Sequence, residues 1–153
     1  MTGAKIILAA LVVIFVAIQF IPSGIPENKP EDDMSISQSG LVTDPVLQKL
    51  RVSCFDCHSN QVSLPWYAKV APSSWLLSSH IREGKEHLNF SEWANYSKRK
   101  KLSQLEHIGE QVKSGDMPLK SYLLIHRDAK LTSEDISALM KWAEDASDKV
   151  IDQ

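Results

Sequence analysis

Apolar residues are arranged in two different ways along this chain. From Ile6 to Ile21 they form an almost unbroken run, IILAALVVIFVAIQFI, in which Gln19 is the one polar residue. After Thr43 they return every three or four positions, as in Val46, Leu47 and Leu50, or Leu102, Leu105, Ile108 and Val112, or Ile136, Leu139, Met140 and Ala143. The first pattern predicts a helix with no polar face, and the second predicts amphipathic helices packed around a core. No alternating strand pattern follows Thr43 and no internal repeat is visible, so the predicted class is all-α.

The apolar run approaches the roughly 20 residues that a membrane-spanning helix needs. Lys5 precedes it, whereas Glu27, Glu31, Asp32 and Asp33 follow. That charge asymmetry predicts a cytoplasmic N-terminus and an outer C-terminal domain. The competing reading, a cleaved signal peptide, needs small residues at the end of the run, but the chain there reads Phe20-Ile21-Pro22-Ser23-Gly24. Residues 1–21 are therefore expected to be a single transmembrane helix meeting the bilayer through residues 5–21. Residues 22–43, with Pro22, Pro26 and Pro30 and then Ser35, Ser37, Ser39 and Gly40, have the composition of a flexible linker. Residues 44–148 are left as the folded domain.

Capping residues divide that domain. Asp44-Pro45 opens a first helix that runs into Cys54. A second begins at Ser73 or Ser74, carries Trp75, Leu76, His80 and Ile81, and is expected to end near Gly84. A serine-capped short helix is expected around Phe90-Ser91-Glu92-Trp93. The stripe from Leu102 to Val112 stops at Ser114-Gly115. Thr132 and Asp135 have capping-box spacing at the start of the last helix, with Asp in place of Glu and Trp142 beside its apolar stripe.

The formal net charge of -2 gives no basic signature, so nucleic acid is not an expected partner. The run Lys98-Arg99-Lys100-Lys101 reads as a solvated face. Both cysteines of the chain lie in one motif, Cys54-Phe55-Asp56-Cys57-His58. The order C-x-x-C-H is that of c-type haem attachment. The two thiols add across the porphyrin vinyl groups, and the adjacent histidine becomes the proximal iron ligand. Three other readings are open. A thioredoxin-like dithiol belongs in an alternating strand and helix pattern that is absent here. A structural zinc site needs four ligands. A disulfide across two residues closes too small a loop to constrain the unfolded chain much.

Met117, in Asp116-Met117-Pro118-Leu119, follows a glycine stop and precedes a proline that biases it toward extended geometry. A thioether held in such a loop is the expected distal ligand, facing His58 across an apolar cleft. His126 and His80 are the alternatives. Trp66, Tyr67 and Tyr122 are the candidate haem contacts; the competing reading of these aromatics is core packing.

Residues from about 45 to 146 resemble the bacterial haem-binding domain family related to small c-type cytochromes. The resemblance rests on Cys54, Cys57, His58-Ser59-Asn60, Pro65-Trp66-Tyr67, Ala71-Pro72, Trp75, His80-Ile81, Gly84, Leu88-Asn89-Phe90-Ser91, Trp93, Gly115, Met117-Pro118-Leu119, Tyr122, His126 and Trp142. The order of motif, methionine loop and terminal helix is also similar to class I cytochromes c. It implies a small cytochrome c-like helical domain behind one transmembrane helix, with one haem c held through Cys54 and Cys57. The expected role is one-electron transfer with a protein redox partner, in the periplasm at the bacterial inner membrane. A haem sensor with an open distal site, a peroxidase and a thiol–disulfide oxidoreductase are the alternatives; electron transfer or simple haem binding is expected over catalysis.

Overall fold

The computed structural model describes residues 2–153 and is helical throughout, with no strand among the described residues. Seven α-helices follow one another among the described residues: α1 Thr2–Ile18, α2 Asp44–Ser53, α3 Phe55–His58, α4 Ser73–His87, α5 Lys98–Ser114, α6 Lys120–Leu123 and α7 Ser133–Ile151. Short 3-10 turns lie at Ile36–Gln38, Trp66–Lys69, Phe90–Asn95 and Arg127–Ala129.

The dominant packing is α5 against α7. Leu105, Ile108 and Val112 on one helix and Leu139, Ala143, Ala146 and Val150 on the other are buried. The stripe on α7 runs about two turns further than the sequence stripe, because Ala146 and Val150 continue its spacing. Ile136 and Met140 are only partly covered. Both ends of this pair are set as their sequences dictate. Thr132 Oγ1 accepts from Asp135 N at 3.1 Å while Asp135 Oδ2 accepts from Thr132 N at 2.9 Å, which completes a capping box. Gly115 ends α5 in the left-handed conformation, φ +74°.

The segment expected to be a flexible linker is packed instead. Ile36 is fully buried, Leu41 is buried, and both belong to the same core cluster as Leu50, Trp93 and Leu139. Polar attachments to the rest of the domain hold the segment down. Trp142 Nε1 donates to Leu41 O at 3.0 Å. Lys29 N donates to Asn60 O at 2.8 Å, and Val62 N donates to Asn28 Oδ1 at 3.0 Å. Glu31 pairs with Arg51 and accepts from Ser35 and Ser37. The linker composition misleads because two apolar residues suffice to anchor a stretch whose remaining side chains are polar.

Glu31 makes this strap pH-dependent. Burial pushes its carboxyl upward, but the hydrogen bonds from Ser37, Arg51 and Ser35 outweigh burial and hold it below the ordinary carboxylate range. A depressed folded value gives stability that is complete above the unfolded value and lost as pH falls through the folded one. Denaturant unfolding is therefore expected to show an acid loss below about pH 4.5 that is smaller in Glu31→Gln, with a difference under about 1 kcal/mol. Identical acid limbs in both proteins would contradict this.

The N-terminal helix departs from expectation in length. α1 stops at Ile18, which gives 17 residues. At the ordinary rise that is about 25 Å, against about 30 Å of bilayer hydrocarbon. No helix among the described residues is long and apolar enough to cross a membrane, which corrects the expected transmembrane span. The cause is at Gln19. Its N–H turns back to Val16 O at 3.1 Å, and its side-chain amide docks onto the folded domain. There Nε2 donates to Ala71 O at 3.1 Å and Oε1 accepts from Ala71 N at 2.9 Å. The one polar residue of the run thus ends the helix by bonding to backbone elsewhere.

Candidate functional site

The site is assembled where α2 breaks into α3. Cys54 closes α2, with its N–H donating to Leu50 O at 2.9 Å. Its own carbonyl then accepts from Cys57 N at 3.2 Å and from His58 N at 3.0 Å. The motif is therefore a single helical turn, which puts both sulfurs and the imidazole on one short stretch. Both thiols are free and half-buried. Burial, and then the neighbouring Cys57, push the Cys54 thiol up to about 12. Burial and then Asp56 push Cys57 up to about 11. Reactive dithiols have lowered values in electropositive surroundings. This pair has the opposite environment, which argues against thiol–disulfide exchange.

His58 is oriented by backbone. Its Nδ1 lies 2.9 Å from Gly84 O and 3.1 Å from Leu88 O. Both partners are acceptors, so Nδ1 carries the proton and Nε2 keeps its lone pair. Metal-ligating histidines are held in this way by a carbonyl on the other ring nitrogen. Burial outweighs the raising effect of these two carbonyls and holds the imidazole below its ordinary value. His58 is thus neutral at pH 7, the form an iron ligand requires.

The residue that permits this arrangement is Gly84. The sequence places it at a helix end, but α4 continues to His87. A Cβ on Gly84 would sit 2.7 Å from the Cys57 carbonyl oxygen, inside contact distance. Glycine is there because α4 must approach the motif closely enough to offer its carbonyl to His58. Gly84→Ala is expected to destabilise the apo protein by about 1–3 kcal/mol through overpacking, despite the helix preference for alanine. A denaturant midpoint equal to or above that of the parent would overturn this account.

On its other side the motif meets three aromatic residues. Tyr122 donates its hydroxyl to Asp56 Oδ2 at 2.7 Å, while Asp56 Oδ1 accepts from Ser63 N at 3.0 Å. The Tyr122 ring stacks on His126 at 4.1 Å and 6°. His126 Nε2 is in turn paired with the Tyr67 hydroxyl at 2.7 Å. Burial, followed by Asp56, raises both phenols above their ordinary value. Tyr67, Tyr122 and His126 are therefore gathered beside Cys57, and Asp56 is the motif residue that collects them. Nothing in the sequence marks Asp56, since any residue fits between the cysteines.

The remaining candidates lie differently. Trp66 packs edge-on against Tyr67 but is 78% exposed. Met117 is half-buried just past Gly115, its N–H donating to Gln111 O at 3.2 Å, and no hydrogen bond or ring contact joins it to the motif. His80 lies on α4 without a hydrogen-bond partner among the described residues. His126, the other alternative ligand, has Nε2 engaged by Tyr67. Two concave surfaces of the molecule are lined by neither the motif nor Met117. One is lined by Lys98, Arg99, Leu102, Ser103 and Glu106, and the other includes Asn60, Arg82, Lys85 and Asn89.

Taken as donors, two free thiols and a neutral imidazole with Nε2 unengaged, all within one turn, fit a covalently held haem. Comparison with curated proteins and with solved structures gives no match. A family model described as a haem-binding domain matches residues 13–145, which takes in the packed strap as well as the motif. With that match covering most of its length, the chain belongs to the haem-binding domain family.

Proposed function

We propose that this protein carries one c-type haem and transfers single electrons at the outer face of the bacterial inner membrane. The observation that supports it most is His58, locked through Nδ1 onto Gly84 O and Leu88 O, with Nε2 free one turn from two unpaired thiols. In this reading Cys54 and Cys57 hold the porphyrin by thioethers, His58 is the proximal ligand and Met117 the distal one. Haem held in that way supplies one-electron cycling of its iron between the ferric and ferrous states. Tyr67 and Tyr122 then lie against the ring, with Asp56 and His126 fixing their hydroxyls and faces. α1, whose apolar side chains from Ile6 to Val16 are largely exposed, associates with lipid and keeps the domain at the membrane for an as yet unidentified redox partner protein.

A ligand-binding or sensing role is the second reading, and Tyr67 with His126 favours it, because polar groups beside the haem are what an open distal position uses. The two readings differ in one variant. If Met117 ligates, the reduced protein resists carbon monoxide, and Met117→Ala makes it bind readily. His80→Ala and His126→Ala leave that resistance intact. Parent protein that binds carbon monoxide as readily as Met117→Ala would defeat methionine ligation and leave the sensor reading.

A further inference from the structure

Outside α1, the most exposed apolar side chains of the domain's interior segments lie on stretches bonded to one another next to the motif. Trp66 is 78% exposed, Leu124 77%, Ile125 63% and Leu76 59%. They come from three separate segments that polar bonds draw together. The Tyr67–His126 pair joins the Trp66 turn to the loop carrying Leu124 and Ile125. The amide of Gln19 joins the end of α1 to Ala71, between Trp66 and Leu76. Trp75 Nε1 makes a further long contact, 3.5 Å, to Ile21 O. Phe20 and Ile21, 83% and 54% exposed, therefore continue the apolar surface of α1 onto this end of the domain.

In the two stretches that carry Trp66, Leu76, Leu124 and Ile125, bases outnumber acids, and the nearby acid Asp56 is engaged by Tyr122 and Ser63 N. Residues 64–76 contain Lys69 and no acid, and residues 119–131 contain Lys120, Arg127 and Lys130 against Asp128 alone. All four bases are exposed, in a chain whose overall charge is -2. Exposed aromatic and aliphatic side chains rimmed by lysine and arginine are the composition of a surface that settles into the headgroups of an anionic membrane. The indole of Trp66 suits the polar–apolar boundary there.

We infer that the domain lies on an anionic lipid surface through Trp66, Leu76, Leu124 and Ile125, so that the C-x-x-C-H site faces the membrane. The inference rests on the lipid-bound reading of α1. It deepens that reading by fixing which face of the domain is turned to the bilayer. Gln19 is the positioning residue, since its two bonds to Ala71 prevent the domain from swinging freely below α1. A haem held beside Tyr67 and Tyr122 would then exchange electrons with a membrane-embedded partner.

The test is lipid photocrosslinking of the full chain in vesicles of phosphatidylcholine with phosphatidylglycerol. A benzoylphenylalanine is placed in turn at Phe15 in α1, at Trp66, at Ile125 and at Glu106 on α5, and lipid adducts are counted by mass spectrometry. The expected result is labelling at Phe15, Trp66 and Ile125 and at least tenfold less at Glu106. In Gln19→Ala the labelling at Trp66 and Ile125 should fall while that at Phe15 persists. Labelling at Phe15 without labelling at Trp66 and Ile125 would overturn the orientation and keep α1 in lipid. No label at Phe15 would overturn both. The same spectra show whether haem is attached, so adducts on a haem-free chain would sink the cytochrome reading while sparing the orientation.

Discussion

Cys54→Ser/Cys57→Ser loses all haem that survives acid–acetone extraction, while each single serine variant retains it through one remaining thioether. Serine nearly matches cysteine in size, so the motif turn survives; its hydroxyl does not form the thioether. The loss should therefore come from attachment and not from unfolding, and helical content measured by circular dichroism should stay near that of the parent. The measurement is the polypeptide mass and visible absorption after expression with cytochrome c maturation machinery. Colour that remains on the double variant would overturn covalent attachment at these two residues. Parent protein that never retains haem would do the same. Before haem is attached, the two thiols, pushed up to about 12 and about 11 by burial, should alkylate slowly at neutral pH.

Phe90→Ala should cost about 3–5 kcal/mol, a large share of the roughly 5–15 kcal/mol that holds a domain folded. Phe90 is 1% exposed. Its ring stacks on Phe55, inside the motif, at 5.2 Å and 21°. It also meets the His58 imidazole edge-on at 6.4 Å and 73°. Removing the ring opens a cavity between the core and the motif, and the imidazole loses its edge-on aromatic neighbour. For a chain of this length the corresponding fall in melting temperature is about 10 °C. Phe90→Leu, which keeps most of the volume, should cost under about 1.5 kcal/mol. Equal denaturant midpoints for the alanine variant and the parent would show that the ring is not part of the core that supports His58.

These two variants separate what is local from what is assembled. The C-x-x-C-H turn is legible from five adjacent residues, because its two thiols and imidazole are brought together within one helical turn. The capping box at Thr132 and Asp135 and the glycine stop at Gly115 are legible for the same reason: each rests on bonds between residues three or four apart. The stripes of α5 and α7 are legible because burial along a helix repeats every three to four residues.

What the sequence could not show depends on contacts between distant segments. Gly84 reads as a helix end and is instead a point of close approach to Cys57, because its carbonyl is needed at His58, 26 residues away. Residues 22–43 read as a linker and are instead a strap, since Leu41 meets Trp142 across 101 positions. Gln19 reads as a blemish in an apolar run and is instead the bond that ends α1 on Ala71. By itself, then, the sequence determined the helical class, the capping box that opens α7, the glycine that ends α5 and the single turn that carries Cys54, Cys57 and His58, all of which depend on short-range bonding. Only the tertiary structure decided which carbonyls orient His58, which aromatic residues gather beside Cys57 and how far the first helix runs. Those outcomes depend on which surfaces meet, and neighbouring residues do not encode it.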